Sequence, residues 1–137
     1  MDEAPQQSLC ERLAAIAEFL PLFEAPDFQF GEWDNTPGHM PYFMLSAEAL
    51  QFVHAASANG WVTPRVAWVE WKDTPHAQQF ATDISNISHA TAYDLECLLT
   101  TVIRQNRFVE GALASAFDSG MLTAIVHRAG VLWREVC

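Results

Sequence analysis

Positive charge is what this sequence has least of: seven lysines and arginines stand against seventeen acids, a net charge of −10 over 137 residues. The deficit is uneven. Residues 1–64 hold nine acids and one base, Arg12, and residues 65–103 hold five acids against Arg65 and Lys72. Residues 104–137 reverse the balance, with three acids against Arg104, Arg107, Arg128 and Arg134. Such a surface repels phosphate backbones, so direct binding of DNA or RNA is disfavoured unless those four arginines share one face. It suits a basic protein partner better, although acidity also serves to keep a chain that is 50% hydrophobic in solution.

Cysteine is scarce as well. Cys10, Cys97 and Cys137 include no C-x-x-C pair, which leads us to expect reduced thiols and no structural disulfide. No apolar run approaches the roughly 18 residues of a membrane helix. The opening MDEAPQQS carries acids where a secretory signal carries bases, so an intracellular, cytoplasmic protein is expected. There is no phosphate loop, dinucleotide-binding glycine pattern or G-x-S-x-G elbow. His39, His54, His76, His89 and His127 never fall at the i, i+4 spacing of two imidazoles on one helix face, so no metal site and no cofactor are expected. A thiol nucleophile would need Cys10 or Cys97 to be brought near His54 by folding. Nothing in the sequence nominates that pairing. No catalytic residue is assigned, and the reading leans away from an enzyme.

What is present is mostly helical pattern. Ser8 and Glu11 have capping-box spacing ahead of Leu9, Leu13, Ile16, Ala17 and Leu20, a first helix that Pro21 should stop. Phe28 and Phe30, with residues 42–45, predict a small β-hairpin among prolines and glycines. Ser46 caps a second helix ending at Asn59-Gly60, and Thr74-Pro75 opens a third, to about Ile84. Residues 61–74 fit either an extended segment or a short helical turn, and residues 85–91 a polar connection. Leu95, Leu98, Leu99, Val102 and Ile103 mark the clearest amphipathic helix, opened by Thr91. A shorter helix from about residue 110 to Ser119-Gly120 and a last one through Leu122, Ile125, Val126, Ala129 and Trp133 complete the chain. The fold class is mainly α (α+β): a single globular domain, 1–137, with about five helices around a central helix 92–107 and an N-terminal β-hairpin.

Residues 104–120, RQNRFVEGALASAFDSG, place charge within an otherwise apolar, small-residue stretch. Helical phase turns Arg104 away from the leucine stripe, towards solvent, and leaves Arg107 at the border of that stripe. Arg107 and Glu110 lie three residues apart and can form an ion pair at a helix junction. Alternatively, Arg107 could hold an anionic ligand with Glu110 as a base. Gly111 and the alanines after it permit close packing, and Gly120 suits a helix C-terminus. The run Phe28-Gln29-Phe30-Gly31-Glu32-Trp33 and the pair Trp68, Trp71 are core or interface residues. Exposure of Trp33 beside Glu32 and Asp34 would make an acidic, aromatic contact surface for a basic partner.

These segments carry a resemblance. Phe30-Gly31-Glu32-Trp33, Pro41-Tyr42, Phe52, Gly60, Trp68-x-x-Trp71, Leu98-Leu99-Thr100 and Arg104-x-x-Arg107-Phe108-x-Glu110-Gly111-x-Leu113-Ala114 are similar to a bacterial family designated DUF6508, a domain of unknown function. Val66-Ala67 departs from the Phe-Asp usual before the first tryptophan of the W-x-x-W pair. The resemblance implies a bacterial domain, often in genomes rich in mobile elements, and no reaction. The chain is therefore expected to be a non-catalytic protein–protein interaction or regulatory, inhibitory module. Its expected ligand- or partner-binding residues are Glu32, Trp33, Arg107 and Glu110. The alternative is an anion-binding protein or enzyme built on Arg107 and Glu110.

Overall fold

The computed structural model describes residues 8–38, 40, 42–106 and 111–137. Among them the chain forms α1 (Leu9–Ala17), α2 (Leu20–Glu24), β1 (Gly31–Asp34), β2 (Tyr42–Leu45), α3 (Ala47–Ala58), α4 (Trp68–Trp71), α5 (Pro75–Thr82), α6 (Ala92–Gln105), α7 (Ala112–Asp118) and α8 (Met121–Val136). A 3-10 helix, Ile84–His89, joins α5 to α6. The mainly helical class with one small hairpin is as expected, but the described helices outnumber the expectation because α2 and α4 are short turns within connections.

Hydroxyl side chains start the helices that the sequence marks. Ser8 accepts from the Glu11 N–H, Ser46 from Ala49, and Thr74 from Ala77. Thr91 and Asp94 form a reciprocal capping box at the start of α6, each side chain accepting the other's N–H at 3.0 Å. Helix α1 ends at Ala17, ahead of the expected stop at Pro21, and Pro21 stands instead in the first turn of α2 with Leu20, where its missing N–H leaves no intrahelical bond unmade. Gly60, at φ 79°, follows α3, and its left-handed backbone strains any residue with a Cβ.

The first strand lies later than expected. Phe28 and Phe30 are not in it, because their rings are held in the core: Phe28 sits 5.3 Å from Phe23 and Phe30 5.3 Å from Phe117. The strand begins at Gly31 and pairs antiparallel with β2 in the register Gly31–Leu45, Glu32–Met44, Trp33–Phe43. The polar connection at residues 85–91 is helical for most of its length, because the Asp83 carboxylate accepts from both the N–H and the hydroxyl of Ser85 and so opens a 3-10 turn.

The core runs through Leu13, Ile16, Phe52, Trp61, Phe80, Leu95, Leu99, Phe117, Leu122 and Ile125. Helix α6 is buried on more than its leucine stripe, since Cys97, Thr100 and Thr101 are also enclosed. Their polar atoms are satisfied locally. Thr101 donates to the Cys97 carbonyl at 2.7 Å, and Thr100 donates to the Trp61 carbonyl while accepting the Thr63 N–H. Helix α8 packs on α1, α2, α6, α7 and the 3-10 helix. The expected central helix 92–107 thus shares its role: α6 is the enclosed helix and α8 the one that joins the most elements.

The expectation of free thiols is overturned. Cys10 and Cys137 form a disulfide, with Cα atoms 6.1 Å apart, bonding α1 to the end of α8. Helices α1 and α8 pack side by side, which brings cysteines 127 positions apart in sequence into bonding range. The reduced-thiol argument for a cytoplasmic location falls with that expectation. No helix among the described residues is long and apolar enough to cross a membrane.

Candidate functional site

The hairpin register sorts its side chains into two faces. Gly31, Trp33, Phe43 and Leu45 share one face, and Glu32, Asp34 and Met44 share the other. A row of rings fixes the first face to the body. Phe52 and Phe23 meet at 5.1 Å, Phe23 and Phe117 at 5.4 Å, and Phe117 stacks on Phe30 within 5° of parallel. Phe30 then meets Phe43 at 5.6 Å, and Phe43 meets Trp33 edge-on at 5.5 Å. Gly31 makes this approach possible, because a Cβ there would overlap the Met44 carbonyl oxygen and lie 2.6 Å from the Phe43 ring.

The row ends in the open. Trp33 is 53% exposed although its backbone is paired and its ring has a neighbour. With Phe30 and Phe43 it walls a groove of about 380 Å³, whose other residues are Gly111 and, on α7, Ala114, Ser115 and Asp118. Small side chains at 111 and 114 leave that space open, while Ser115 and Asp118 are exposed and place a hydroxyl and a carboxylate there. Glu32 stands exposed on the opposite hairpin face beside half-exposed Met44. The groove therefore combines flat aromatic surface with negative charge.

The expected residues divide accordingly. Trp33 and Glu32 are both exposed at the hairpin, on opposite faces. Arg107 and Glu110, with their expected pairing, lie outside the described residues. Gly111, at φ 85°, takes a left-handed conformation immediately before α7. The cap of that helix comes from a residue the sequence reading passed over: the Asn106 side-chain oxygen accepts the Leu113 N–H at 3.1 Å. Asp118 was missed too, for it becomes part of a site only when α7 folds against the hairpin. Gly120 behaves as expected, at φ 86° with its N–H donating to the Phe117 carbonyl.

Arg104 is not solvent-facing. It is half-buried and lines a cavity of about 350 Å³ with Thr63, Pro64, Val66, Ala67, Trp68, Val69 and Glu70. The segment carrying α4 packs on α6 and covers the side that helical phase alone leaves open.

Other polar groups hold structure. Arg12 donates to the Asn59 and Gly60 carbonyls and to Glu96, and lies 4.5 Å above the Trp61 ring. His76 Nε2 meets Asp94 Oδ1 at 2.8 Å, joining α5 to α6, while its Nδ1 faces the Gln79 amide of its own helix at 3.0 Å, so both ring nitrogens are engaged. The thiol expectation gains nothing here. Cys10 is bonded to Cys137, His54 is exposed on α3, and burial pushes the Cys97 thiol pKa up, against an opposing hydrogen bond with Tyr93. Among the described residues no three His, Cys, Asp or Glu side chains converge as a metal site requires. Arg128 donates to the Ala90 carbonyl at 2.8 Å, which ties one of the four C-terminal arginines into the fold.

No curated protein and no solved structure matches the chain. A family model described as a family of unknown function, DUF6508, matches residues 8–135, which takes in the hairpin, α7 and the groove between them. The chain belongs to the DUF6508 family of unknown function.

Proposed function

We propose that this chain is a non-catalytic protein–protein interaction module, regulatory or inhibitory, whose hairpin groove receives a basic side chain of its partner. One observation carries the reading: Trp33 ends a row of packed rings half in solvent, in a groove that Asp118 also lines. A guanidinium or ammonium group slid along Trp33 gains the attraction of the ring face and meets a carboxylate. Burying an aromatic anchor in such a groove is the arrangement that concentrates binding energy at protein interfaces. The net charge of −10 adds long-range attraction for a basic surface. Glu32, on the outer face, contributes to that attraction rather than to the groove itself.

The test uses an oligo-arginine peptide as the probe, with binding followed by tryptophan fluorescence at low and high salt. General attraction to an acidic surface fades with salt in every variant. Groove binding adds specificity: Trp33→Ala and Asp118→Asn each weaken the complex about tenfold while circular dichroism stays unchanged, and Glu32→Gln mainly lowers the salt sensitivity. Equal affinity of the wild type, Trp33→Ala and Asp118→Asn would sink the proposal.

A further inference from the structure

We infer that the cavity beside Arg104 is a second, independent site, and that it binds a small monocarboxylate bearing an apolar or aromatic group. The reading starts from the guanidinium. Arg104 is half-buried and lines this space, and among the described residues its side chain makes no hydrogen bond or ion pair. Any of its nitrogens left unbonded by protein still touches solvent, and its planar fork is shaped to pair with both oxygens of a carboxylate. Among the described residues the other two half-buried arginines show the contrast. Arg12 and Arg128 each have an oxygen acceptor, whereas exposed Arg134 has none.

The walls define the rest of the ligand. Pro64, Val66, Ala67, Trp68 and Val69 present apolar and aromatic surface, and the volume of about 350 Å³ falls at the lower end of the range for small-molecule sites. Thr63 fixes one side: its N–H donates to Thr100 and its hydroxyl accepts from Arg65, so the wall is tied to α6. Val66 is buried there.

Two features set the charge at one. Glu70 also lines the cavity, and Arg104 stands in the last turn of α6, at the negative end of the helix dipole. Both disfavour a second negative charge, so a phosphate or dicarboxylate is rejected where a single carboxylate is held. This site is apart from the hairpin groove and shares no lining residue with it.

The experiment titrates the full chain with phenylacetate, phenylacetamide and inorganic phosphate, reading the Trp68 indole and Arg104 Nε–H signals by two-dimensional NMR. Saturable shifts with phenylacetate are expected, at least about tenfold weaker with the neutral amide, and absent with phosphate. Arg104→Gln should abolish the preference for acid over amide, and Glu70→Gln should strengthen phenylacetate binding and admit phosphate. Because the acid–amide comparison is made on the unmodified protein, it holds even if Arg104→Gln fails to fold. No saturable shift with phenylacetate, equal affinity for acid and amide, or phosphate binding as strong as phenylacetate overturns the inference.

Discussion

Arg12 is the one base among nine acids in residues 1–64, and its position explains why it is there. Its Nε donates to the Asn59 carbonyl at 2.9 Å and one Nη to the Gly60 carbonyl at 3.0 Å, satisfying groups at the end of α3 that have no helical partner. The same Nη reaches Glu96 at 2.8 Å, and the Trp61 indole donates back to the Arg12 carbonyl. Three helices are thereby joined around one guanidinium. Arg12→Met keeps much of the stem and the Trp61 bond to the backbone carbonyl but removes the three guanidinium bonds, leaving Glu96, only 14% exposed, without its cation. It should cost about 3 kcal/mol in chemical denaturation. Adding Glu96→Gln should recover about 1 kcal/mol, because the orphaned charge is part of the penalty. A loss within experimental error of zero would show that the network adds nothing to stability. The charge distribution was plain in the sequence, but the knot was not: its acceptors are backbone carbonyls 47 and 48 residues away, and carbonyls leave no mark in a sequence.

At the scale of elements, what was legible is what is local. Caps three residues long could be read directly, and Thr91 illustrates the energy involved. Thr91→Ala removes the acceptor for the Asp94 N–H and should cost about 1 kcal/mol by denaturant titration. Asp94→Ala should cost more, since Asp94 also holds His76 and so ties α5 to α6. The less legible elements depend on tertiary surroundings. Helix α4 is one turn stabilised against α6, and the start of β1 is set by where the Phe28 and Phe30 rings are buried, not by alternation. The 3-10 helix has its own pH signature. Two hydrogen bonds from Ser85 hold the Asp83 carboxyl below its ordinary value of 3.8. A carboxylate whose folded pKa is depressed stabilises above the unfolded value, and that contribution is lost as pH falls through the lower, folded value. Acid titration of the wild type should therefore show Ser85 amide protection declining below about pH 4, and Asp83→Asn should flatten that limb. A variant with the same acid profile as the wild type would remove Asp83 from the account.

Over the whole molecule, the candidate site was legible only in part, because a groove is a relation between elements. Trp33 and Glu32 could be named from an aromatic, acidic run, while Asp118 and Ser115 gained meaning only when α7 came to lie against the hairpin. The same reasoning applies with more force to Cys10 and Cys137. Three cysteines without a pattern argued for free thiols, yet packing α1 along α8 joins the two ends of the described chain through a bond that closes a loop of 127 positions. Closing a loop of that length reduces the entropy of the unfolded chain by an amount worth about 3 to 5 kcal/mol at room temperature. Reduction should accordingly lower Tm by about 10 to 20 °C, and Cys10→Ser with Cys137→Ser should melt at that lower temperature with or without reductant. Cys97 supplies an internal control: buried and with its thiol pKa raised, it should resist alkylation until the chain unfolds. Mass analysis of the native protein after alkylation should then show no modified thiol before reduction and two after it. Two labels before reduction, with melting indifferent to reductant, would mean that the ends of the chain are held by α1–α8 packing alone.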